Sequence, residues 1–390
     1  MNVLKLRYGT NPHQAPAEIR LASRPLPLAV LNGQPSYINI LDALAGWQLV
    51  RDMRAATGKA SAASFKHVSP AGAAVAAPLE DSERRALLLP EEDLSPLAEA
   101  YVRARGADPV SSFGDAAAVS DCVDDTLARV LVHEVSNLIV APAYEPSALE
   151  LLRRKQKGGY LILQIDPDYE PDGPESRETF GLTLTQPRND VCVSRDWFDA
   201  LPLTEGSARD GAIEDLLVAT ITVKYTQSNS IAIAHRGQTI GIGAGQQSRI
   251  DCTRLARRKA ERWMMRRHPA VLELPWIEGL TRTARINEID RYLTWDELTA
   301  QERAALLKSF RTMPSPIAAE SRASWLARFS DLALSSDAYI PFRDNIDCAA
   351  QSGVRFIAHP GGSVRDQEVH AACSEYGIAL IETGVRLFTH

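Results

Sequence analysis

A lysine and a histidine stand side by side at Lys66-His67, at the end of a predicted short strand over 61–66. The next residues, Ser-Pro-Ala-Gly at 69–72, are expected to open a helix, so the pair would lie where open α/β sheets bind ligands. A neutral imidazole can accept a proton near neutral pH, and the adjacent ammonium supplies positive charge. The pair is therefore a candidate for proton transfer, although a Lys-His pair on an ordinary loop has the same sequence.

A glycine-rich run, Gly241-Ile-Gly-Ala-Gly245, lies between a predicted strand and a predicted helix. A dinucleotide fingerprint would need glycine where Gln246 stands, so we reject a Rossmann assignment. Flexible glycines before a helix expose backbone N–H groups to an anion, and Arg249 stands beside them. A tight turn that binds nothing is an equally good interpretation.

The predicted helix after this run is strongly basic. Between residues 249 and 267 there are eight basic side chains and two acidic ones, and arginines recur every fourth residue from Arg254 to Arg266. Such a stripe is usually a solvated face. In a chain of net charge -6 it can also attract a polyanionic small molecule.

Four further segments combine polar and aromatic groups. Residues 7–14 and 111–115 each join hydrogen-bonding side chains to a glycine, which is typical of loops that contact polar substrates. Residues 341–345 and the terminal 386–388 place a carboxylate and rings close together, which suits a planar heterocycle with adjacent N–H donors. Turns, a helix start or a core ring explain these segments equally well.

Composition excludes several classes of protein. The chain has 390 residues with 43 basic and 49 acidic side chains, so it lacks the basic surplus of nucleic-acid proteins. No apolar run approaches the ~18 residues of a membrane span, and no signal peptide is evident. Five cysteines without a CxxC pair predict a reduced, cytoplasmic protein. Motifs for zinc hydrolases, deaminases, serine hydrolases and Walker A lysines are absent, so we predict no metal centre.

Alternating helices and strands must position these residues. A helix over 39–57, capped by Asn39 and stopped by Gly58, precedes the first strand. The other predicted helices lie near 95–105, 124–134, 146–157, 250–267, 345–352 and 365–376, and the other predicted strands at 138–141, 160–165, 217–224, 231–234, 239–242, 354–358 and 378–381. This alternation predicts an α/β protein with a largely parallel sheet.

Loops divide the chain. Residues 78–93 are expected to form a loop, 166–178 are the clearest linker, and a second break lies near 202–211. Arg236-Gly237 suits a turn before the strand at 239–242. We therefore expect two α/β subdomains, 1–200 and 201–390, with a helical insertion at about 270–335 in the second. A faint similarity between 65–69 and 223–227, each with a lysine followed by a ring, suggests an internal duplication.

Seven strings of the sequence form one ordered set: RYGTNPHQ at 7–14, SFKHVSPAGAAV at 64–75, SSFGD at 111–115, VKYTQSNS at 223–230, IGIGAGQQSRIDCTRLA at 240–256, SDAYIPFRDNID at 336–347 and RLF at 386–388. This set resembles the transformylase domain of the AICAR transformylase/IMP cyclohydrolase family. The resemblance implies two cytidine-deaminase-like α/β/α subdomains without the deaminase zinc. It also implies an intertwined homodimer with active sites at the subunit interface.

The family enzyme transfers the formyl group of 10-formyltetrahydrofolate to the 5-amino group of AICAR, an aminoimidazole carboxamide ribonucleotide, giving FAICAR and tetrahydrofolate. The resemblance assigns catalysis to Lys66, His67 and Asn229. It assigns nucleotide binding to Arg7, Tyr8, Asn39, Gly114, Asn137, Arg249 and Arg386. It assigns folate binding to Ser248, Ile250, Phe342, Asp344 and Asn345, with Asp344 on the pterin.

Elementary chemistry agrees with these roles. The acceptor amine is a poor nucleophile because its lone pair is delocalised, so catalysis needs close positioning and removal of the amine proton during attack. His67 suits the proton removal, and Lys66 or Asn229 can stabilise the oxyanion of the tetrahedral intermediate. This chemistry requires no metal.

The sequence departs from the family pattern in three places. The match begins at residue 7, so we expect the cyclohydrolase domain to be absent and ring closure to occur elsewhere. Asn137 stands where an aspartate is expected, which replaces a pure acceptor by a donor-acceptor group. Of the two closing histidines typical of animal members, only His390 is present.

Two alternatives to AICAR transformylase remain open. Because of Asn137, a folate-dependent formyltransferase could act on a different aminoimidazole-like or specialised amine. A non-catalytic nucleotide or folate sensor is the other, but the presence of Lys66, His67 and Asn229 argues against it, since a sensor needs no proton-transfer groups.

Overall fold

The computed structural model describes residues 2–21, 25–202 and 206–390, so 203–205 of the predicted break near 202–211 lie outside the described residues. The strands are β1 (Val3–Leu6), β2 (Ala17–Arg20), β3 (Leu28–Asn32), β4 (Ser61–Lys66), β5 (Ser69–Val75), β6 (Asp115–Val119), β7 (Ser136–Ala141), β8 (Leu161–Ile165), β9 (Glu175–Thr179), β10 (Leu182–Gln186), β11 (Ile231–His235), β12 (Gln238–Gly243), β13 (Leu332–Ser336), β14 (Val354–His359) and β15 (Ala379–Glu382).

The helices are α1 (Tyr37–Thr57), α2 (Asp81–Ala86), α3 (Pro96–Gly106), α4 (Asp125–His133), α5 (Pro146–Arg153), α6 (Ser207–Lys224), α7 (Arg249–Met265), α8 (Pro269–Leu272), α9 (Arg282–Leu293), α10 (Ala300–Leu307), α11 (Ala319–Leu326), α12 (Asp344–Ala350) and α13 (Asp366–Tyr376). Short 3₁₀ helices cover Lys155–Gly158, Arg195–Phe198 and Trp295–Glu297.

One mixed sheet of eleven strands runs through the described chain in the order β15-β14-β13-β11-β12-β5-β4-β6-β7-β8-β3. Four neighbouring pairs, β6–β7, β7–β8, β13–β14 and β14–β15, are parallel, and the other six are antiparallel. The predicted α/β class is confirmed. The prediction of a largely parallel sheet is wrong, because antiparallel hairpins form the centre of the sheet.

The sheet contains the same strand order twice. In the first half the hairpin β4–β5 is followed outward by β6, β7 and β8, and in the second half β11–β12 is followed by β13, β14 and β15. The halves meet where Gln238 of β12 pairs with Ala74 of β5. This repetition agrees with two subdomains of one fold, while the boundary between 1–200 and 201–390 stays a prediction.

Helices cover both faces of the sheet. On one face α1 and α6 share a single apolar core with residues such as Phe65 and Leu138. On the other face α3, α4 and α5 pack on the first half, and α7, α12 and α13 pack on the second. Helices α8 to α11 have a separate small core that includes Tyr292 and Phe310, which confirms a helical insertion. The predicted range 270–335 also included all but the last residue of strand β13, which was missed.

The predicted strand at 217–224 is wrong, because these residues form the end of helix α6. Every residue from Asp215 to Lys224 is buried. A helix buried on all sides shows no polar face, so its β-branched residues give the same pattern as a strand. Lys224 is consequently no counterpart of Lys66. The counterpart of the β4–β5 turn is the turn Arg236-Gly237 between β11 and β12, which was predicted as a turn.

Three other local predictions need correction. Residues 69–75 form strand β5 rather than a helix. Gly72 lets this strand lie close to α3, since a side chain there would collide with the carbonyl oxygen of Ala104. The cap of α1 is Ser36, while Asn39 is the third residue of the helix and completes the capping box. Within the predicted loop 78–93, Asp81–Ala86 form α2.

No helix in the described ranges is long and apolar enough to cross a membrane. Over the same ranges, no group of three or more His, Cys, Asp and Glu side chains is arranged to hold a metal ion.

Candidate active site

A cleft of about 380 Å³ opens between the β4–β5 hairpin and helix α7. Its lining includes Lys66 and His67 from the hairpin, Ser111 from the loop before β6, and Lys259 from α7. The predicted lysine–histidine pair therefore faces a cleft that two halves of the sheet build together.

Lys66 and His67 differ in how they are held. Lys66 is the last residue of β4, half-buried, and its ammonium donates a hydrogen bond to the carbonyl oxygen of Phe113. His67 is exposed and begins the tight turn to β5. The N–H of Val68, the second residue of the turn, donates to Oδ1 of Asp42 at 2.6 Å. The lysine is thus anchored by the 111–115 loop, and the histidine is held through its backbone.

Gly114 and Asn137, both assigned to the nucleotide, lie against each other. Gly114 has φ of +76°, and a Cβ there would lie 3.3 Å from Nδ2 of Asn137. Its N–H donates to the carbonyl oxygen of Val135 at 2.7 Å, which fixes the loop beside β7. Asn137 is exposed. The structure therefore places this pair at the starts of β6 and β7, in the first half of the sheet.

Asn229 and Arg249 form a second group at the start of α7. The Asn229 amide donates to the carbonyl oxygens of Gln246 at 2.8 Å and Gln247 at 3.2 Å, and its Oδ1 accepts from Arg249 at 2.6 Å. The Arg249 guanidinium also pairs with the buried carboxylate of Asp337. Arg249, assigned to the nucleotide, is thus 7% exposed and directed at protein groups.

The residues assigned to folate gather around α7 and α12. Ser248 caps α7 by accepting from the N–H of Asp251 at 3.4 Å, and Ile250 is half-buried beside it. Asn345 is buried, and its Oδ1 accepts from the Thr253 hydroxyl at 2.9 Å. This contact joins the start of α12 to α7.

Asp344 and Phe342 are exposed next to this junction. Asp344 accepts from the Asn345 amide at 2.8 Å. The Phe342 ring is 48% exposed, with the Arg365 guanidinium carbon 5.0 Å from its centroid. A ring and a carboxylate are therefore both open to solvent at the start of α12, as the interpretation of this segment requires.

Arg7, Tyr8 and Asn39 lie at the start of α1. The Arg7 guanidinium lies 4.7 Å from the Tyr8 ring centroid and donates to the Tyr8 hydroxyl at 2.9 Å. The carbonyl oxygen of Tyr8 accepts from the N–H of Tyr37 at 3.2 Å. Asn39 uses Oδ1 to accept from the N–H of Ser36 at 3.0 Å. The side-chain oxygen of Asn39 is therefore part of the capping box of α1.

Arg386 belongs to the C-terminal segment, which lies against the Asn229 loop. Its exposed guanidinium lies 4.6 Å from the Phe388 ring centroid. Leu387 N–H donates to the Asp337 carbonyl oxygen at 2.8 Å, and Thr389 N–H donates to the Ser228 hydroxyl at 3.1 Å. The β4–β5 hairpin, which carries Lys66 and His67, contacts the loop that carries Asn229, because the Gln227 N–H of that loop donates to the Ser69 hydroxyl at 3.4 Å.

The glycine-rich run serves packing at two of its positions. A side chain at Gly241 would collide with the carbonyl oxygen of Ala256, and one at Gly243 with that of Cys252. Both glycines lie in β12 and let it approach α7 closely. Only Gly245, with φ of +64°, lies in the turn itself. This geometry favours the turn interpretation over an anion-binding loop.

Sequence reasoning missed Lys259 as a residue of the cleft. The four arginines of the stripe each pair with an acid, as Arg258 does with Glu297 at 3.1 Å. Lys259 is also paired with an acid, with Nζ 3.0 Å from Oδ2 of Asp108, but unlike the four arginines it lines the cleft. Burial alone would raise the pKa of Asp108, but Lys259 and the hydrogen bonds from Ser111 hold it below its usual value. Nothing local in the sequence separates Lys259 from its seven basic neighbours.

A duplicated α/β sheet, with a lysine–histidine pair in a cleft between its halves, defines an α/β protein with a candidate acid–base site. The family model described as AICARFT/IMPCHase bienzyme matches residues 1–259, and the chain belongs to this family. The family predicted from the seven strings is thereby confirmed.

Similar curated proteins carry the name bifunctional purine biosynthesis protein PurH. That of Magnetococcus marinus is 30% identical over 396 residues, covering 99% of this chain and 59% of the relative. That of Persephonella marina is 29% identical over 391 residues, with the same two coverages of 99% and 59%. That of Brucella anthropi is 30% identical over 390 residues, with coverages of 99% and 58%. The chain thus spans about three-fifths of the length of these relatives.

Proposed function

We propose that the chain is a formyltransferase that uses 10-formyltetrahydrofolate as cosubstrate and AICAR as acceptor, forming FAICAR and tetrahydrofolate. One observation carries this proposal: Lys66 and His67 face a shared cleft in a member of the AICARFT/IMPCHase family. The residue roles assigned to nucleotide and folate are part of the proposal. The cytoplasmic location stays a prediction.

The proposed reaction needs only proton transfer and charge stabilisation from the protein. As the 5-amino nitrogen attacks the formyl carbon, His67 accepts the proton that the amine loses. Lys66, or Asn229 once one of its amide N–H groups leaves the carbonyl oxygen of Gln246 or Gln247, stabilises the negative charge that develops on the formyl oxygen. When the bond between the formyl carbon and folate N10 breaks, His67 returns the proton to N10, and tetrahydrofolate leaves.

A direct assay tests the proposal. The purified chain is mixed with AICAR and 10-formyltetrahydrofolate, tetrahydrofolate formation is followed by absorbance, and the formylated nucleotide is identified by its mass. Turnover supports the proposal. Folate binding without turnover of AICAR would favour the other formyltransferase, and failure to bind either compound would contradict both.

Asn137 is the observation that supports a different acceptor amine. It is exposed beside Gly114, on the residues assigned to the nucleotide, and an aspartate is expected there. The Asn137 amide donates as well as accepts hydrogen bonds, so it suits a formyl-accepting substrate whose polar groups differ from those of AICAR. Comparing AICAR with other aminoimidazoles in the same assay distinguishes the two functions.

Lys259 leads to a prediction about substrate capture. Because its ammonium lines the cleft and both substrates are anionic, we expect Lys259→Gln to raise the KM of one substrate about tenfold, the value of one charge-assisted hydrogen bond. The matched control is Arg258→Gln, since Arg258 is paired with Glu297 outside the cleft. Steady-state kinetics with each substrate varied gives both KM values. Equal KM values for the two variants would contradict a role for Lys259.

We also propose that two copies of the chain form a dimer. Hairpin β9–β10 is exposed along both strands, with Phe180 101%, Leu182 65% and Leu184 56% exposed. A lone two-stranded hairpin is marginally stable in water, and grouped exposed apolar side chains mark interfaces. A second copy of the chain packed on this hairpin would stabilise it and bury its exposed apolar side chains.

The dimer proposal predicts that Phe180→Asp combined with Leu182→Asp shifts the chain toward monomer. Buried carboxylates at an apolar interface cost free energy in the dimer and nothing in the monomer. Sedimentation velocity measures the change. The control is Val364→Asp, because Val364 is 103% exposed and belongs to the segment between β14 and α13 rather than to the hairpin. A double variant that keeps the mass of the unmodified protein would contradict this interface.

A further inference from the structure

The turn that carries His67 has a backbone conformation that L-residues rarely adopt. The φ angle is +56° at His67 and +58° at Val68. This left-handed region is unfavourable for residues with a Cβ, and it is rarest for β-branched residues such as valine. Backbone strain of this kind persists only where the surrounding structure holds it.

Asp42 is the group that holds the turn. It lies in the second turn of α1, is 7% exposed, and accepts the hydrogen bond from the Val68 N–H at 2.6 Å. Burial raises the pKa of Asp42, and the hydrogen bond from the Val68 N–H and the ammonium charge of Lys66 oppose that rise. The buried Asp42 carboxylate therefore binds the backbone N–H of Val68 beside the cleft.

The second half of the sheet contains a similar turn that is strained at only one of its two positions, since Arg236, the counterpart of His67, also has a positive φ of +53°. There Asp215 of α6 accepts from the N–H groups of Gly237 at 2.5 Å and Arg236 at 3.0 Å, in the turn between β11 and β12. Gly237 takes the position that Val68 has in the first half, and glycine adopts positive φ without penalty. The hairpin therefore forms equally well with glycine, so the strain at Val68 belongs to the half that carries the lysine–histidine pair.

We propose that Asp42 is a positioning residue for His67, which fixes the left-handed turn through Val68 and so aims the imidazole into the cleft. The inference rests on the proposed formyl transfer. Without the Asp42 carboxylate the turn relaxes to ordinary φ values, and His67 leaves the geometry of attack. Substrate affinity, which other elements supply, is little affected.

Three variants test this role: Asp42→Ala, Asp42→Asn and the double variant Asp42→Ala/Val68→Gly. A misplacement of about 1 Å costs about 100-fold in rate, so we expect Asp42→Ala to lower kcat by about 10- to 100-fold with little change in KM. Asp42→Asn keeps an acceptor oxygen and should recover most of kcat. The double variant should also recover kcat, because glycine adopts the turn without support.

Asp215→Ala is the matched control, since it removes the same contact from the half whose turn lies outside the cleft lining. It should lower the melting temperature without lowering kcat of the folded protein. Equal losses of kcat in Asp42→Ala and Asp215→Ala, or no recovery in the double variant, would overturn the proposal.

A second measurement separates this inference from the proposed function. Hydrogen exchange of the Val68 amide should accelerate in Asp42→Ala and remain slow in Asp42→Asn, whatever reaction the protein catalyses. Absence of formyl transfer in the unmodified protein would contradict the proposed function alone. Unchanged exchange at Val68 in Asp42→Ala would contradict the positioning role alone.

Discussion

Replacing His67 by alanine is expected to lower kcat for formyl transfer by about 10²- to 10⁴-fold, the usual contribution of a general base. The imidazole is exposed in the cleft, so its loss removes the proton acceptor without opening a cavity in the core. The KM values should change little, because the proposed contacts with nucleotide and folate come from other residues. Steady-state kinetics with AICAR and 10-formyltetrahydrofolate measures both parameters.

His133→Ala is the control for this prediction, since His133 is exposed at the end of α4 and absent from the cleft lining. Its kcat should match that of the unmodified protein. Added imidazole should restore part of the activity of His67→Ala, because the space left by the side chain is open to solvent. Full activity in His67→Ala would contradict the assignment of the base.

Local sequence signals predicted much of the fold around the cleft. The helical spacing over 39–57 and the stop at Gly58 give α1 to within two residues, and Arg236-Gly237 marks the turn of the second hairpin correctly. These signals succeed because capping and turn residues act on their nearest neighbours in the chain. Helix α6 and strand β5 were missed because full burial removes the alternation of polar and apolar residues.

The candidate site was predictable only in part, because its support consists of long-range contacts. Lys66 and His67 were found from a strand end and from family resemblance. The contact between Asp42 and Val68 spans 26 residues, and that between Arg249 and Asp337 spans 88. No local pattern indicates either contact. Carboxylates that hold site residues in place are therefore visible only once the chain is folded.

Asp337 has the second large expected effect, because it is a fully buried partner of Arg249. Removing one member of a buried ion pair leaves the other charge without compensation, so we expect Asp337→Ala to lower the free energy of unfolding by about 3–5 kcal/mol. Asp337 Oδ2 also accepts from the Ser230 N–H at 3.0 Å, next to Asn229. Urea unfolding measures the loss of stability.

The same variant should lose more kcat than its folded fraction explains. Arg249 donates to Asn229 at 2.6 Å, so an unpaired Arg249 that reorients toward water releases the Asn229 side chain. Asn229 is proposed to stabilise the oxyanion, and removal of one such donor costs about 10²- to 10³-fold in kcat. Kinetics at a temperature where the variant remains folded separates this effect from instability.

The double variant Asp337→Ala/Arg249→Met distinguishes the stabilising role of the pair from its positioning role. Replacing both charges by apolar groups removes the unpaired ion, so the double variant should be more stable than Asp337→Ala. It still lacks the guanidinium that holds Asn229, so its kcat should stay low. If kcat recovers together with stability, Asn229 needs no support from Arg249, and the proposed role of Arg249 as its anchor is wrong.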